Sequence, residues 1–246
     1  MPDLLNAFLM AFGFLTVLPM PQRKEWSDRD FGWSAVFYPL TGALIGLCAA
    51  SAFRLCCAVF ARPIAAFLCL IIWIALSGGL HWDGLADCFD GFGSSASPQR
   101  RLEIMKDSRL GTFGALGIFC ALILKWLCIR HLPDNKYLIF FALTGASARW
   151  AMLLLLSRPL ANPNGMAAML KTNCPKLVWL YAAPLPLLLA LLYGPFGFLY
   201  LLTGVLTVFA LGMIACKKIG GINGDVLGFS IELGEIMILL AAQVIP

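Results

Sequence analysis

The sequence predicts an all-α protein: a polytopic helical membrane bundle of about seven transmembrane helices plus a short re-entrant or interfacial N-terminal helix. Three observations carry this. Of 246 residues, 61% are hydrophobic and 13% charged, against about 45–50% and about 25% in soluble domains. The mean hydropathy is +0.86. Apolar runs long enough to cross a bilayer recur along the whole chain, and lipid offers no partners to unpaired backbone, so such runs must be helices. So few charges cannot cover a soluble exterior, which excludes tails, linkers, fibres, nucleic-acid-binding proteins and secreted disulfide scaffolds. Residues 1–246 read as a single membrane domain.

Taken in order, Leu4–Leu18 is apolar but short of the ~20 residues a span needs, hence the re-entrant or interfacial reading. No Lys or Arg precedes Arg23, so a signal peptide's basic leading region is missing. Spans are expected at Trp33–Phe53, Ile64–Leu80, Phe113–Ile129, Tyr137–Leu156, Leu177–Tyr193, Phe196–Ala215 and Val226–Ala242, with kinks at Pro39, Pro184 and Pro186. Gly42 and Gly46, and Gly111, Gly114 and Gly117, mark close helix contacts through small residues. The nine cysteines lie mostly in apolar runs with no C-x-x-C spacing, so buried thiols are expected rather than zinc sites or disulfides. There is no internal repeat and no low-complexity tract.

Most cations fall in one set of loops: Arg23, Lys24 and Arg29; Arg100, Arg101, Lys106 and Arg109; Arg158, Lys171 and Lys176; Lys217 and Lys218. The opposite loops hold Arg54, Arg62, Arg130 and Lys136. The positive-inside rule places the first set, and with it the polar connection His81–Gly111, in the cytoplasm.

Chemistry concentrates in that connection. Asp83, Asp87 and Asp90 are spaced i, i+4, i+7, which on a helix confines them to about 60° of its circumference. Such a stripe repels itself, and a divalent cation offsets the repulsion. Hard oxygen ligands without a Cys/His quartet favour Mg²⁺ or Mn²⁺ over zinc. The bland alternative is a solvated acidic turn, against which stand the neighbouring Trp82, Leu85 and Phe89. Downstream, Ser97-Pro98 reads as the cap of a short amphipathic helix ending near Lys106. There Lys106-Asp107-Ser108-Arg109 offers a further metal oxygen from Asp107, a hydroxyl, and two cations for phosphate oxygens. A third feature is Gly220-Gly221-Ile222-Asn223-Gly224-Asp225, a flexible loop whose N–H groups suit a phosphate. Glu232 and Glu235 follow inside an apolar span, where carboxylates face a cavity or pair with a buried cation such as Arg149. His81, beside Asp83, is placed to orient a carboxylate or phosphate, or is simply an interfacial histidine. Carboxylates, a divalent ion and Lys/Arg at a membrane face fit metal-assisted phosphoryl transfer; residue chemistry alone leaves the substrate open among nucleotide-activated alcohols, prenyl diphosphates and lipid phosphates.

The run Leu76-Ser77-Gly78-Gly79-Leu80-His81-Trp82-Asp83-Gly84-Leu85-Ala86-Asp87, then Asp90-Gly91, then Arg101 to Gly114 with its Lys106-Asp107-Ser108-Arg109-Leu110-Gly111 centre, closely resembles the adenosylcobinamide-GDP ribazoletransferases, also called cobalamin-5′-phosphate synthases. Leu15-Thr16-Val17-Leu18-Pro19, Tyr38-Pro39-Leu40-Thr41-Gly42 and Gly220-Gly221-x-x-Gly224-Asp225 look like the same family. Trp82 and Asn223 depart from its pattern, which has an aliphatic residue and Thr there. The resemblance implies a bacterial inner-membrane, multi-pass transferase late in vitamin B12 assembly, its active-site loops facing the cytoplasm. It would join adenosylcobinamide-GDP to α-ribazole or α-ribazole 5′-phosphate and release GMP. Asp83, Asp87, Asp90 and Asp107 would be catalytic and hold Mg²⁺. His81, Lys106, Ser108, Arg109, Asn223 and Asp225 would contact the substrates. No nucleic acid partner is implied, and a homo-oligomer is left open.

Rival readings fit less well. A CDP-alcohol phosphotransferase shows Asp-Gly-x-x-Ala-Arg, whereas Gly84 is followed by Leu85-Ala86-Asp87. A prenyltransferase has two similar Asp-rich motifs. A transporter or channel carries its charges near the bilayer midplane rather than in a surface loop.

Overall fold

Asp3 caps the first helix, α1 (Leu4–Leu15), by accepting from the N–H groups of Leu5 and Asn6, and α1 is the short apolar helix expected. The computed structural model describes residues 3–21, 26–132 and 137–244; Arg23, Lys24 and Lys136 lie outside the described residues. Among those described the fold is helical, its only strand-like pairing an isolated bridge between Leu160 and Ile222. A capping box between Ser27 and Asp30 starts α2 (Asp28–Ser34). The chain continues through a 3₁₀ turn, Ala35–Phe37, into α3 (Tyr38–Cys57). Pro39 sits in the first turn of α3, a position that tolerates its missing N–H, directly after the 3₁₀ turn that interrupts the Asp28–Cys57 stretch.

The expected span Ile64–Leu80 is cut short. α4 (Arg62–Leu76) ends at Gly78 and Gly79, whose φ angles of 61° and 68° are left-handed, a conformation glycine adopts without the Cβ penalty. α5 (Leu80–Gly93) leaves at 93° to α4. Next come α6 (Pro98–Ile104), capped by the Ser97 hydroxyl as predicted, and α7 (Thr112–His131). α8 (Tyr137–Met152) runs into a 3₁₀ segment, Leu153–Ser157, and α9 (Met166–Asn173) follows. The expected span Leu177–Tyr193 is also divided, into α10 (Val178–Tyr181) and α11 (Pro184–Tyr193), with Pro184 opening the second piece. α12 (Pro195–Ile219) and α13 (Gly224–Ala241) complete the chain.

Among the described residues, four helical stretches are long and apolar enough to cross a membrane: Asp28–Cys57, Thr112–His131, Tyr137–Ser157 and Pro195–Ile219; the bent α4–α5 pair makes a fifth if counted as one broken span. The sequence leads to an expectation of about seven; four or five are shown. Glycine and proline divide two of the runs, and α13 has 18 residues, about 27 Å, but carries Asp225, Glu232 and Glu235.

Gly42 and Gly46 let α3 lie directly on α8: a Cβ at either would fall 2.1 Å from the Gly145 oxygen or 2.2 Å from that of Phe141. The nine cysteines, all among the described residues, form no disulfide. At the end of the bundle away from the acidic motif, Arg62 donates to the carbonyls of Arg130 and Leu132. At the other end Arg101 donates to the carbonyls of Ser94 and Lys218, and Lys218 to that of Phe92. These bonds fix α5, α6 and α12 relative to one another and form the frame of the site.

Candidate active site

The double-glycine bend aims α5 across the start of α13, and the two cross at Gly84. A Cβ there would lie 2.7 Å from the Asp225 carbonyl oxygen and 2.9 Å from its Cα, so only glycine permits this approach. The crossing sets Asp83 and Asp87 beside Asp225: Asp225, Asp83 and Asp90 all act electrostatically on Asp87, and Asp83 acts on Asp225. Asp83 is exposed, and Asp87 and Asp225 are half-buried. Asp83 and Asp87 accept no hydrogen bond from any described group, so their lone pairs are unspent.

The loop that delivers Asp225 is tightly held rather than flexible. Gly220 closes α12 at φ 82°. Gly221 lies where a Cβ would be 2.4 Å from the Pro159 oxygen. Ile222 donates to Pro159 O and accepts from Ala161 N, both at 2.8 Å, which spends one N–H expected for phosphate. Asn223 caps α13 by accepting from Val226 N at 3.0 Å, and its amide donates to Asp225 Oδ2 at 2.8 Å.

The other expected ligands point elsewhere. Asp90 continues the stripe of α5, but its two oxygens accept from Gly111 N and Gly114 N, each at 2.8 Å. It therefore caps α7, whose own N-cap, Gly111, has no side chain to do so. Asp107 is bound by Arg109, with guanidinium contacts of 2.6 and 3.0 Å. This pair and Ser108 are exposed. Arg109's hydrogen bonds hold the Asp107 carboxyl down at about 2. Among the described residues, no three His, Cys, Asp or Glu side chains stand close enough to hold a metal ion. Thus Asp83, Asp87, Asp90 and Asp107 do not form the single four-carboxylate centre expected.

A cavity of about 480 Å³ opens at this crossing, with Asp83, Lys106, Asn162, Asn223 and Asp225 in its wall together with His81. His81 is buried, its Nδ1 lacks a hydrogen bond, and that atom is 3.8 Å from Glu232 Oε1. Asp87, Asp90, Asp107, Ser108 and Arg109 do not line the cavity.

Behind His81 lies a buried ionic network. Lys125 of α7 contacts Glu232 and Glu235 of α13, each at 2.5 Å, and Arg149 of α8 reaches Glu235 at 2.8 Å. The Arg149–Glu235 pairing was one of the two sequence expectations for these glutamates. Lys125 was not anticipated; its signal is a single ammonium inside a 20-residue apolar helix, a position that lipid makes costly without partners. The sequence reading also missed Asn162 in the cavity wall and the ties made by Arg101 and Lys218.

Residues 7–243 match the cobalamin-5-phosphate synthase family. The chain belongs to that family. Proteins named adenosylcobinamide-GDP ribazoletransferase are similar over almost their whole lengths. The one from Ralstonia pickettii is 33% identical, covering 95% of this chain and 93% of the relative. That from Geobacillus thermodenitrificans is 33% identical, covering 97% and 95%, and that from Escherichia coli K12 is 32% identical, covering 95% and 98%. No solved structure matches the chain.

Proposed function

We propose that the chain is a membrane-embedded adenosylcobinamide-GDP ribazoletransferase of cobalamin biosynthesis. It joins adenosylcobinamide-GDP to α-ribazole, or its 5′-phosphate, at the Asp83–Asp225 crossing and releases GMP. The observation that carries this reading is the apposition of Asp83, Asp225 and Lys106 on one cavity, in a chain that matches the family nearly end to end. We also place that cavity on the cytoplasmic side of the bacterial inner membrane, because Lys and Arg concentrate in the loops around it.

The donor set fits a hard divalent cation in kind, and its spacing fits one held jointly with substrate. Mg²⁺ is commonly bound through one or two carboxylates plus phosphates rather than in an all-protein cage. Asp83 or Asp225, the two carboxylates in the cavity wall, would hold it together with phosphate oxygens, and when bound it would screen the diphosphate and stabilise the departing phosphate. Lys106 holds phosphate oxygens as a point charge. Asn223 keeps Asp225 oriented through its amide. A ribazole hydroxyl attacks the phosphorus next to cobinamide. The new O–P bond forms as the bond to GMP breaks, and a cavity carboxylate accepts the hydroxyl proton. No nucleophilic side chain is required, so we assign direct in-line displacement.

The test is product analysis with purified full-length protein in lipid. GMP release should require both adenosylcobinamide-GDP and α-ribazole, and should stop on adding a chelator. Turnover of CDP-alcohols instead, or GMP release indifferent to α-ribazole, overturns the assignment.

A further inference from the structure

The cavity is two-sided. Of its polar residues, Asp83, Lys106, Asn162, Asn223 and Asp225 are exposed or half-buried and His81 alone is buried, alongside the buried Leu15, Phe31, Tyr38, Met152, Ala167 and Leu170 of the same wall. The mouth is thus charged and the floor mostly apolar. The floor is assembled from α1, α2, α3, α9 and the end of α8, elements outside the acidic motif, and its large side chains belong to one continuous core.

We infer that this floor is the binding site for the bicyclic base of α-ribazole, with its ribose directed to the acidic mouth; the inference rests on the function proposed above. Size comes first. About 480 Å³ lies low in the ~300–1,000 Å³ range of small-molecule sites. It suits a nucleoside and is far too small for a corrinoid, so adenosylcobinamide must lie outside with only its diphosphate at the mouth. Polarity then separates the two nucleosides of the reaction. Guanine buries an amide, an amine and two acceptor ring nitrogens, each of which needs a partner, and beside its Leu, Met, Phe and Ala side chains the buried wall offers only the Tyr38 hydroxyl, already engaged by Ser34, and the His81 imidazole, too few for all of them. A dimethylbenzimidazole has one free ring nitrogen and is otherwise apolar, so burial of its faces and methyl groups against Phe31, Tyr38, Met152 and Leu170 favours binding. The ribose then emerges among Asp83, Asn223 and Asp225, where its hydroxyl meets the phosphorus. The guanosine half stays at the mouth, and the two substrates enter from different sides of one carboxylate cluster.

The test measures KM separately for each substrate in the full chain reconstituted in phosphatidylglycerol/phosphatidylethanolamine vesicles. Ala167→Phe, which fills the floor, should raise the KM for α-ribazole about tenfold or more, the size of effect expected when a pocket's volume changes by several carbons, and leave that for adenosylcobinamide-GDP unchanged. Leu170→Ala, which enlarges it, should shift preference at least severalfold toward the riboside of a larger tricyclic base. The inference is overturned if Ala167→Phe raises only the KM for adenosylcobinamide-GDP. It is equally overturned if Leu170→Ala leaves base preference unchanged, or if α-ribazole binding is independent of both substitutions and the floor holds a lipid acyl chain. Should Ala167→Phe not fold, Leu170→Ala decides alone. Failure of the proposed function is a separate result: the parent protein would then release no GMP from the two substrates together.

Discussion

Lys125 Nζ lies 2.5 Å from Glu232 Oε2 and the same distance from Glu235 Oε2, in the middle of a helix whose other residues before its last turn are uncharged. Trp73 and Trp82 place their rings 5.3 Å from the same ammonium, and Arg149 shares Glu235. Two cations therefore balance two carboxylates where α4, α5, α7, α8 and α13 meet. Removing one member leaves a buried charge uncompensated, which costs about 3–5 kcal/mol. Lys125→Met should lower the unfolding midpoint of the detergent-solubilised protein accordingly. The double variant Lys125→Met/Glu232→Gln should recover part of that loss, since it leaves Arg149 paired with Glu235.

Gly84 makes the apposition of Asp83 and Asp225 sterically feasible. An added methyl would overlap the Asp225 backbone at 2.7 Å, so α5 and α13 must separate. Gly84→Ala should cut GMP release by about 10²-fold, the loss typical when reacting groups are displaced by ~1 Å. Gly234→Ala, on the partner helix α13, is the control, because its Cβ would meet nothing nearer than 3.5 Å; it should keep parental turnover in the same assay.

Carboxylates that read alike in the sequence separate by role. Asp90 satisfies two N–H groups of α7, so Asp90→Ala should cost about 0.5–2 kcal/mol of stability, the range for losing a helix cap. It should retain more turnover per folded molecule than the cavity variants do. Asp83→Asn and Asp225→Asn should show the reverse: unfolding midpoints unchanged or raised, since like-charge repulsion is relieved, with turnover lowered about 10²-fold or more. Thermal unfolding and GMP release on the same preparations separate the two classes.

The divisions between legible and hidden features have physical causes. The stripe of Asp83, Asp87 and Asp90 follows from helical period alone, and α5 is a helix. Which residues an aspartate meets is a tertiary matter, and nothing local to Asp90 says that Gly111, 21 residues on, will present a bare N–H. The short helix after Ser97 is announced by its own cap. The division of Ile64–Leu80 was written in Gly78-Gly79, yet an apolarity count treats glycine as neutral and passes over a 93° bend. Lys125 stayed hidden because one charge barely lowers the mean hydropathy of its helix; its partners lie more than a hundred residues away.

Asp107 makes a prediction in pH. Its carboxyl is held at about 2 by Arg109, below its ordinary value, so the interaction is fully present above the usual carboxylate range and is lost only as pH falls through about 2. Asp107 is charged throughout any working range. The acid limb of the pH–rate profile should therefore be identical in the parent and in Asp107→Asn, whatever the substitution does to the plateau.

Divalent-cation binding should be visible without turnover. Asp83, Asp87 and Asp225 repel one another at the crossing of α5 and α13, and a ligand that binds only the folded state raises stability by RT ln(1 + [L]/Kd). Mg²⁺ with a diphosphate present should raise the unfolding midpoint of the parent protein, and less so in Asp83→Asn. Simple screening makes a different forecast. Monovalent salt at equal ionic strength shortens the Debye length as effectively, so it would relieve the same repulsion and give the same rise. A midpoint that follows ionic strength alone, equally in parent and Asp83→Asn, would mean that these carboxylates are only a solvated acidic surface. A rise specific to Mg²⁺ or Mn²⁺, dependent on Asp83 and strengthened by diphosphate, is the result expected of an ion held between protein and substrate.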